Sequence, residues 1–178
     1  MAESTSTLNT PVLWIIKYLQ EKIGELTLIG NIPFFPSGPN DLNQLTEMFP
    51  EGGNMAVWDR MFRMRSGPFP HIKSEQLLIY FYHTAGNSQE NMIKIQEAVL
   101  RLMDRGDESA KELNDWAKQK GQIDGMTCKF YFHDFKIYQL QEVRDIIDFG
   151  TARTYAGNKI IIDYDYHQRQ DIIDSVNS

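Results

Sequence analysis

A chain of 178 residues, 42% hydrophobic and 24% charged, is long enough for one domain with a real core, and its make-up is that of an ordinary globular protein. Its formal charge of −6 argues against non-specific wrapping of nucleic acid, which runs on Lys and Arg. A single cysteine, Cys128, excludes an internal disulfide, and no stretch approaches the roughly 20 apolar residues of a membrane-spanning helix.

In chain order, residues 1–9 are Ser/Thr-rich and read as a mobile tail. They lack the basic region and apolar core of a secretory signal, which points to the cytoplasm or a particle assembled there. Thr10-Pro11 is a helix start, with Thr as cap and Pro at the first helical position. Val12, Ile15, Ile16, Leu19 and Ile23 follow as an apolar stripe, and Gly24 is the expected stop. The polar face of this helix, with Lys17, Glu21 and Lys22, is nearly neutral, so it predicts packing on a core rather than on a membrane surface. Leu26, Thr27, Leu28 and Ile29 predict a short strand.

Residues 32–73 predict a long irregular insertion. Every proline except Pro11 falls here, with Gly38, Gly52, Gly53 and Gly67. The segment is unusually apolar for a loop, carrying Phe34, Phe35, Trp58, Met61, Phe62 and Phe69 among others. Two readings stand side by side. The segment folds back on the sheet, with a strand around residues 55–64, or it packs on neighbouring subunits. On the second reading Phe34, Phe35, Trp58, Met61, Phe62, Arg63, Arg65 and Phe69 are interface residues. Arg63 and Arg65 share a face if the local structure is a strand, and suit a solvated face or ion pairs with a neighbour.

Leu77, Leu78, Ile79, Tyr80, Phe81 and Tyr82 form an unbroken apolar and aromatic run of strand length. Turn residues follow, with Asn87 as a helix cap. Met92, Ile95, Ala98, Val99, Leu102 and Met103 then trace one helical face. Residues 108–118 predict a short second helix with Leu113, Trp116 and Ala117 inward, and Gly121 and Gly125 bracket a turn. Residues 128–140 predict a strand bent near Asp134, with Cys128, Phe130 and Phe132 opposite Lys129, Tyr131 and His133. Residues 143–150 predict a connection holding Asp145 and Asp148, and Gly157-Asn158 a turn. The closing strand, 159–167, alternates Ile160, Ile162, Tyr164 and Tyr166 with Asp163, Asp165 and His167. These elements predict one α/β (α+β) domain over residues 10–167, a mostly antiparallel sheet packed by the N-terminal helix and a central helix pair. A polar tail, 168–178, closes the chain.

No P-loop, G-x-G-x-x-G or G-x-S-x-G motif occurs. Cys128 and His133 are five apart, which on a strand puts them on opposite faces. Asp163, Asp165 and His167 share a strand face and are the one grouping with metal-site chemistry, with His83 or His133 as a completing ligand. The plainer reading is the wet face of an outer strand, where Asp discourages edge pairing. That reading assigns no catalytic, cofactor or metal residues.

The element plan resembles the tail terminator proteins of long-tailed bacteriophages. The likeness is carried by the aromatic strand with Tyr80, Phe81, Tyr82 and His83, leading through Asn91, Met92, Ile93, Lys94 and Ile95 into the central helix. It is carried also by Val143-Arg144-Asp145 before the closing strand. It covers about residues 10–30 and 75–167 and is a pattern of elements rather than a motif. Segment 32–71 departs from the plan in being longer and more apolar. The resemblance implies a structural virion protein of the tail or neck, without enzymatic activity. Its subunits would form a hexameric ring that caps the tail tube and touches the tube protein and the head-tail connector or neck proteins. DNA would only pass through the lumen, and no membrane or cofactor is implied. A metal-dependent hydrolase or nuclease using Asp163, Asp165 and His167, and a neck adaptor that forms no ring, are the alternatives.

Overall fold

The computed structural model describes residues 9–29, 32–36, 54–66, 71–83, 88–148 and 153–169. Helix α1 spans Pro11–Thr27, with the Leu13 amide donating to the Thr10 hydroxyl as the cap predicts. Strands β1 (Phe34–Pro36), β2 (Asn54–Ser66) and β3 (Lys73–His83) follow. Helices α2 (Ser88–Met103) and α3 (Asp107–Lys120) come next. A small hairpin, β4 (Gln122–Ile123) and β5 (Met126–Thr127), precedes the long strands β6 (Phe130–Asp148) and β7 (Arg153–Gln168). The main sheet has the order β1-β2-β3-β7-β6, antiparallel except for the β1–β2 pair. The α+β expectation, with a mostly antiparallel sheet, is what the chain adopts.

Alternation explains the sheet's two faces. Along β3 the odd-numbered residues from Glu75 to His83 are buried and the even ones only partly so. Leu77, Ile79 and Phe81 join Ile160, Ile162, Tyr164 and Tyr166 of β7 under the helical layer. The helices supply Ile15, Leu19, Ile95, Val99, Leu102 and Leu113 to the same core. Each such fully buried aliphatic side chain contributes roughly 2 kcal/mol of transfer free energy. Trp116 of α3 sits edge-on to Trp14 and Tyr18 of α1, at 6.3 and 5.3 Å between ring centres. Its indole N–H donates to Glu21 at 3.1 Å, so the aromatic contact carries its own polar tie.

Several boundaries differ from the sequence reading. Leu26 to Ile29 is not a strand: α1 runs through Thr27 and ends at Leu28, which takes the left-handed conformation at φ 57°. The Thr27 hydroxyl donates back to the Ile23 carbonyl at 2.6 Å and accepts from the Ile29 amide, which supports this ending. Residues 143–148 belong to β6 rather than to a connection. Gly157-Asn158 is not a turn but lies inside β7, paired with Tyr82 and Phe81. A Cβ at Gly157 would stand 2.0 Å from the Phe81 carbonyl oxygen, so the glycine marks a close strand approach. The turn between Gly121 and Gly125 is present, with Asp124 and Gly125 both at positive φ (51° and 77°), as a two-residue hairpin turn requires. Asn9, assigned to the tail, is anchored: its amide donates to the Thr127 carbonyl and its oxygen accepts from the Trp14 indole, both at 2.9 Å. Asn87, read as a helix cap, falls outside the described residues.

The edge of β6 is covered. The Asn114 side chain donates to the Phe132 carbonyl at 2.9 Å and accepts its amide at 3.0 Å. Gly106 exchanges backbone hydrogen bonds with Phe135 in both directions, and Asp104 accepts the Ile137 amide at 2.9 Å. The bend foreseen near Asp134 is a bulge, since Phe132 pairs with Tyr166 and Asp134 with Asp165, leaving His133 as the extra residue. Among the described residues no helix is long and apolar enough to cross a membrane.

Candidate functional site

The sheet face away from the core cluster is where the unexplained chemistry lies. Pairing puts Gln76 opposite Asp163 and Ser74 opposite Asp165 on this face, and Tyr131 opposite His167. Asp163 accepts from the Gln76 amide at 2.6 Å, and Asp165 accepts from the Ser74 hydroxyl at 2.5 Å. Asp163, Asp165 and His167 therefore share a face as the alternation predicts, but both carboxylates are engaged by neighbours across the strand pair. His83 is on the other side of the sheet, fully buried, and does not join them. Its burial pushes the imidazole down to about 4, which keeps it neutral at physiological pH.

His133 does join His167. Its Nε2 faces Nδ1 of His167 at 2.5 Å, with ring centres 4.7 Å apart and planes tilted by 30°. His71 stands edge-on to His167 at 5.9 Å between centres. The Tyr131 ring, 45% exposed, flanks both, 5.2 Å from His133 and 5.5 Å from His167. Burial, and then the charges of His133 and His71, hold the His167 imidazole below its ordinary range. Sequence reasoning weighed His133 as a partner for His167 but not His71, which lies far away in sequence. Among the described residues no three or more His, Cys, Asp or Glu side chains are gathered as they stand around a point that could hold a metal ion.

Further along the same face the surface becomes apolar. Val57 of β2 and Ile161 of β7 are buried, yet neither belongs to the core shared with the helices. Tyr80 and Tyr82 stack beside them, 6.0 Å between centres and nearly parallel. Burial, with Tyr80 a lesser cause, pushes the Tyr82 hydroxyl up to about 12.

On the core side a carboxylate is held inside the protein. Glu75 is 4% exposed and accepts from Tyr164 at 2.6 Å and from Tyr166 at 2.7 Å. Cys128 is buried and donates weakly to the Phe130 carbonyl; burial pushes its thiol up, away from reactivity. It lies with Phe130 and Phe132 in the core, apart from His133, as the spacing predicts.

Of the proposed interface residues, Phe34 and Trp58 are half-buried against the chain's own core, with Phe34 edge-on to Phe81 at 5.8 Å. Phe35 lies in β1, and Met61, Phe62, Arg63 and Arg65 lie in β2. Between Met61 and Arg65 the register shifts against β3, where their partners are Gln76 and Ser74. Phe69 lies outside the described residues. The strand foreseen within this segment is β2. Compared with known proteins, the chain matches no family model, and no curated protein matches it.

Proposed function

We propose that this chain is a structural virion protein, a tail terminator subunit of a long-tailed bacteriophage. In this reading several copies form a closed ring, expected to be hexameric, that caps the tail tube and meets the neck or head-tail connector. The observation that supports it is a sheet with two unequal apolar faces. One is buried under the helices; the other carries Val57, Leu78, Tyr80, Tyr82 and Ile161. On the helical side Leu28 is 88% exposed and Leu26, Ile93 and Leu100 are also exposed, so a second, different surface offers apolar contact. A closed ring needs this: two dissimilar surfaces on each subunit, repeated until the contact closes. A net charge of −6 suits a lumen that DNA crosses without sticking.

Native mass measurement and light scattering, on the chain alone and with purified tail tubes, test the proposal. The expected result is a ring at the tube end. A strict monomer that does not bind tubes counts against it, and one copy per tube end favours the non-ring adaptor. A hydrolase or nuclease built on Asp163, Asp165 and His167 has less support, because one oxygen of each carboxylate is held by Gln76 or Ser74 and the described residues gather no group of three metal ligands as they stand.

A further inference from the structure

We infer that His133 and His167 form the chelating pair of a divalent transition-metal site on the outer face of the sheet, with His71 within reach as a third ligand. The pair is positioned by backbone rather than by chance contact of surface side chains. His167 sits in the β6–β7 ladder opposite Tyr131, and His133 is the extra residue of the bulge between Phe132 and Asp134. That bulge keeps Phe132 and Phe135 in the core while turning His133 and Asp134 away from it. Two ring nitrogens then point at each other across 2.5 Å. A tetrahedral ion at about 2.0–2.1 Å from each nitrogen needs them to part to about 3.3 Å and the two rings to turn towards a common point, a movement open to half-buried side chains.

The donor set chooses the metal. One oxygen each of Asp163 and Asp165 is held by Gln76 and Ser74, and the donors set against one another at the bulge are imidazoles. Imidazole suits Zn²⁺, Co²⁺, Ni²⁺ or Cu²⁺ and gives no advantage to Mg²⁺ or Ca²⁺. His71 is exposed, and its ring centre is 5.9 Å from that of His167, so side-chain rotation can bring one of its nitrogens to the same ion. The Tyr131 ring flanks the pair, with its centre 5.2 Å from that of His133 and 5.5 Å from that of His167.

The test uses tag-free, full-length protein stripped with chelator. Zn²⁺ is titrated calorimetrically, Co²⁺ is followed by its visible absorption, and Mg²⁺ serves as control. Expected are one Zn²⁺ per chain, a Co²⁺ spectrum of nitrogen and oxygen ligation, and no Mg²⁺ binding. His133→Gln and His167→Gln should each weaken Zn²⁺ at least tenfold, and His71→Gln less. Absence of Zn²⁺ and Co²⁺ binding in the unaltered chain overturns the inference, and so does affinity unchanged in both variants. Should either variant misfold, perturbation of the His133 and His167 ring NMR signals by Zn²⁺ in the unaltered chain decides instead. Signals that stay in place overturn the inference.

Discussion

Glu75 and Tyr164 meet inside the core, directly paired across the neighbouring strands β3 and β7, where the phenol donates to the carboxyl at 2.6 Å. Tyr166 donates to the other oxygen, so the two tyrosines that pack the core also supply it with polar contacts. Tyr164→Phe keeps the ring and removes one donor. It should cost about 1–3 kcal/mol in urea unfolding, the usual range when a buried polar group loses one of its partners. A loss below about 0.5 kcal/mol would mean that Glu75 does not depend on this hydroxyl.

Gly157→Ala should be worse. The added carbon would meet backbone, the Phe81 carbonyl at 2.0 Å, which cannot rotate away. Strands β3 and β7 must part locally, and a loss of about 3 kcal/mol or more is expected, with faster amide exchange in both. A soluble variant with unchanged midpoint and exchange would contradict the close approach.

Acid should weaken the fold through His83. Its folded value is about 4 against an ordinary 6.5, so between these values the unfolded chain binds the proton and the folded one does not. The sign follows: stability is full above about pH 6.5 and falls as pH drops towards 4. The loss approaches about 3 kcal/mol at 1.36 kcal/mol per unit. Denaturant midpoints measured from pH 7.5 to 4 check this, and His83→Leu should flatten that part of the profile.

Trp58→Ala separates two roles for the β2 segment. Because Trp58 is half-buried on the core, the isolated chain should lose about 2 kcal/mol. A variant as stable as the parent but defective in ring formation would assign the side chain to a neighbour instead.

Legibility in the sequence followed locality. β7 was readable because Ile160, Ile162, Tyr164 and Tyr166 alternate with polar residues, and burial alternates with them. Helix α1 was readable from its cap, and all three helices from their apolar stripes. Gly157 misled because a glycine beside an asparagine is also turn chemistry, and only the partner strand reveals the close approach. Leu26 to Ile29 misled because β-branched and leucine residues fit a strand, whereas helix α1 simply outlasts Gly24. His71 was invisible as a neighbour of His167, since their meeting depends on how β3 and β7 pair, not on spacing. The carboxylates of Asp163 and Asp165 were placed correctly on one face, but their partners Ser74 and Gln76 come from another strand.

Asn114, Gly106 and Asp104 together satisfy the outward backbone groups of β6 at Phe132, Phe135 and Ile137. That stretch cannot serve as a template for another chain's strand, so sideways growth into a fibre is blocked there. A neighbour that approaches this flank must recognise side chains and the helix-borne loop rather than bare amides. Side-chain recognition can be keyed to one orientation and one stopping point, which strand addition, indifferent to sequence and open-ended, cannot provide.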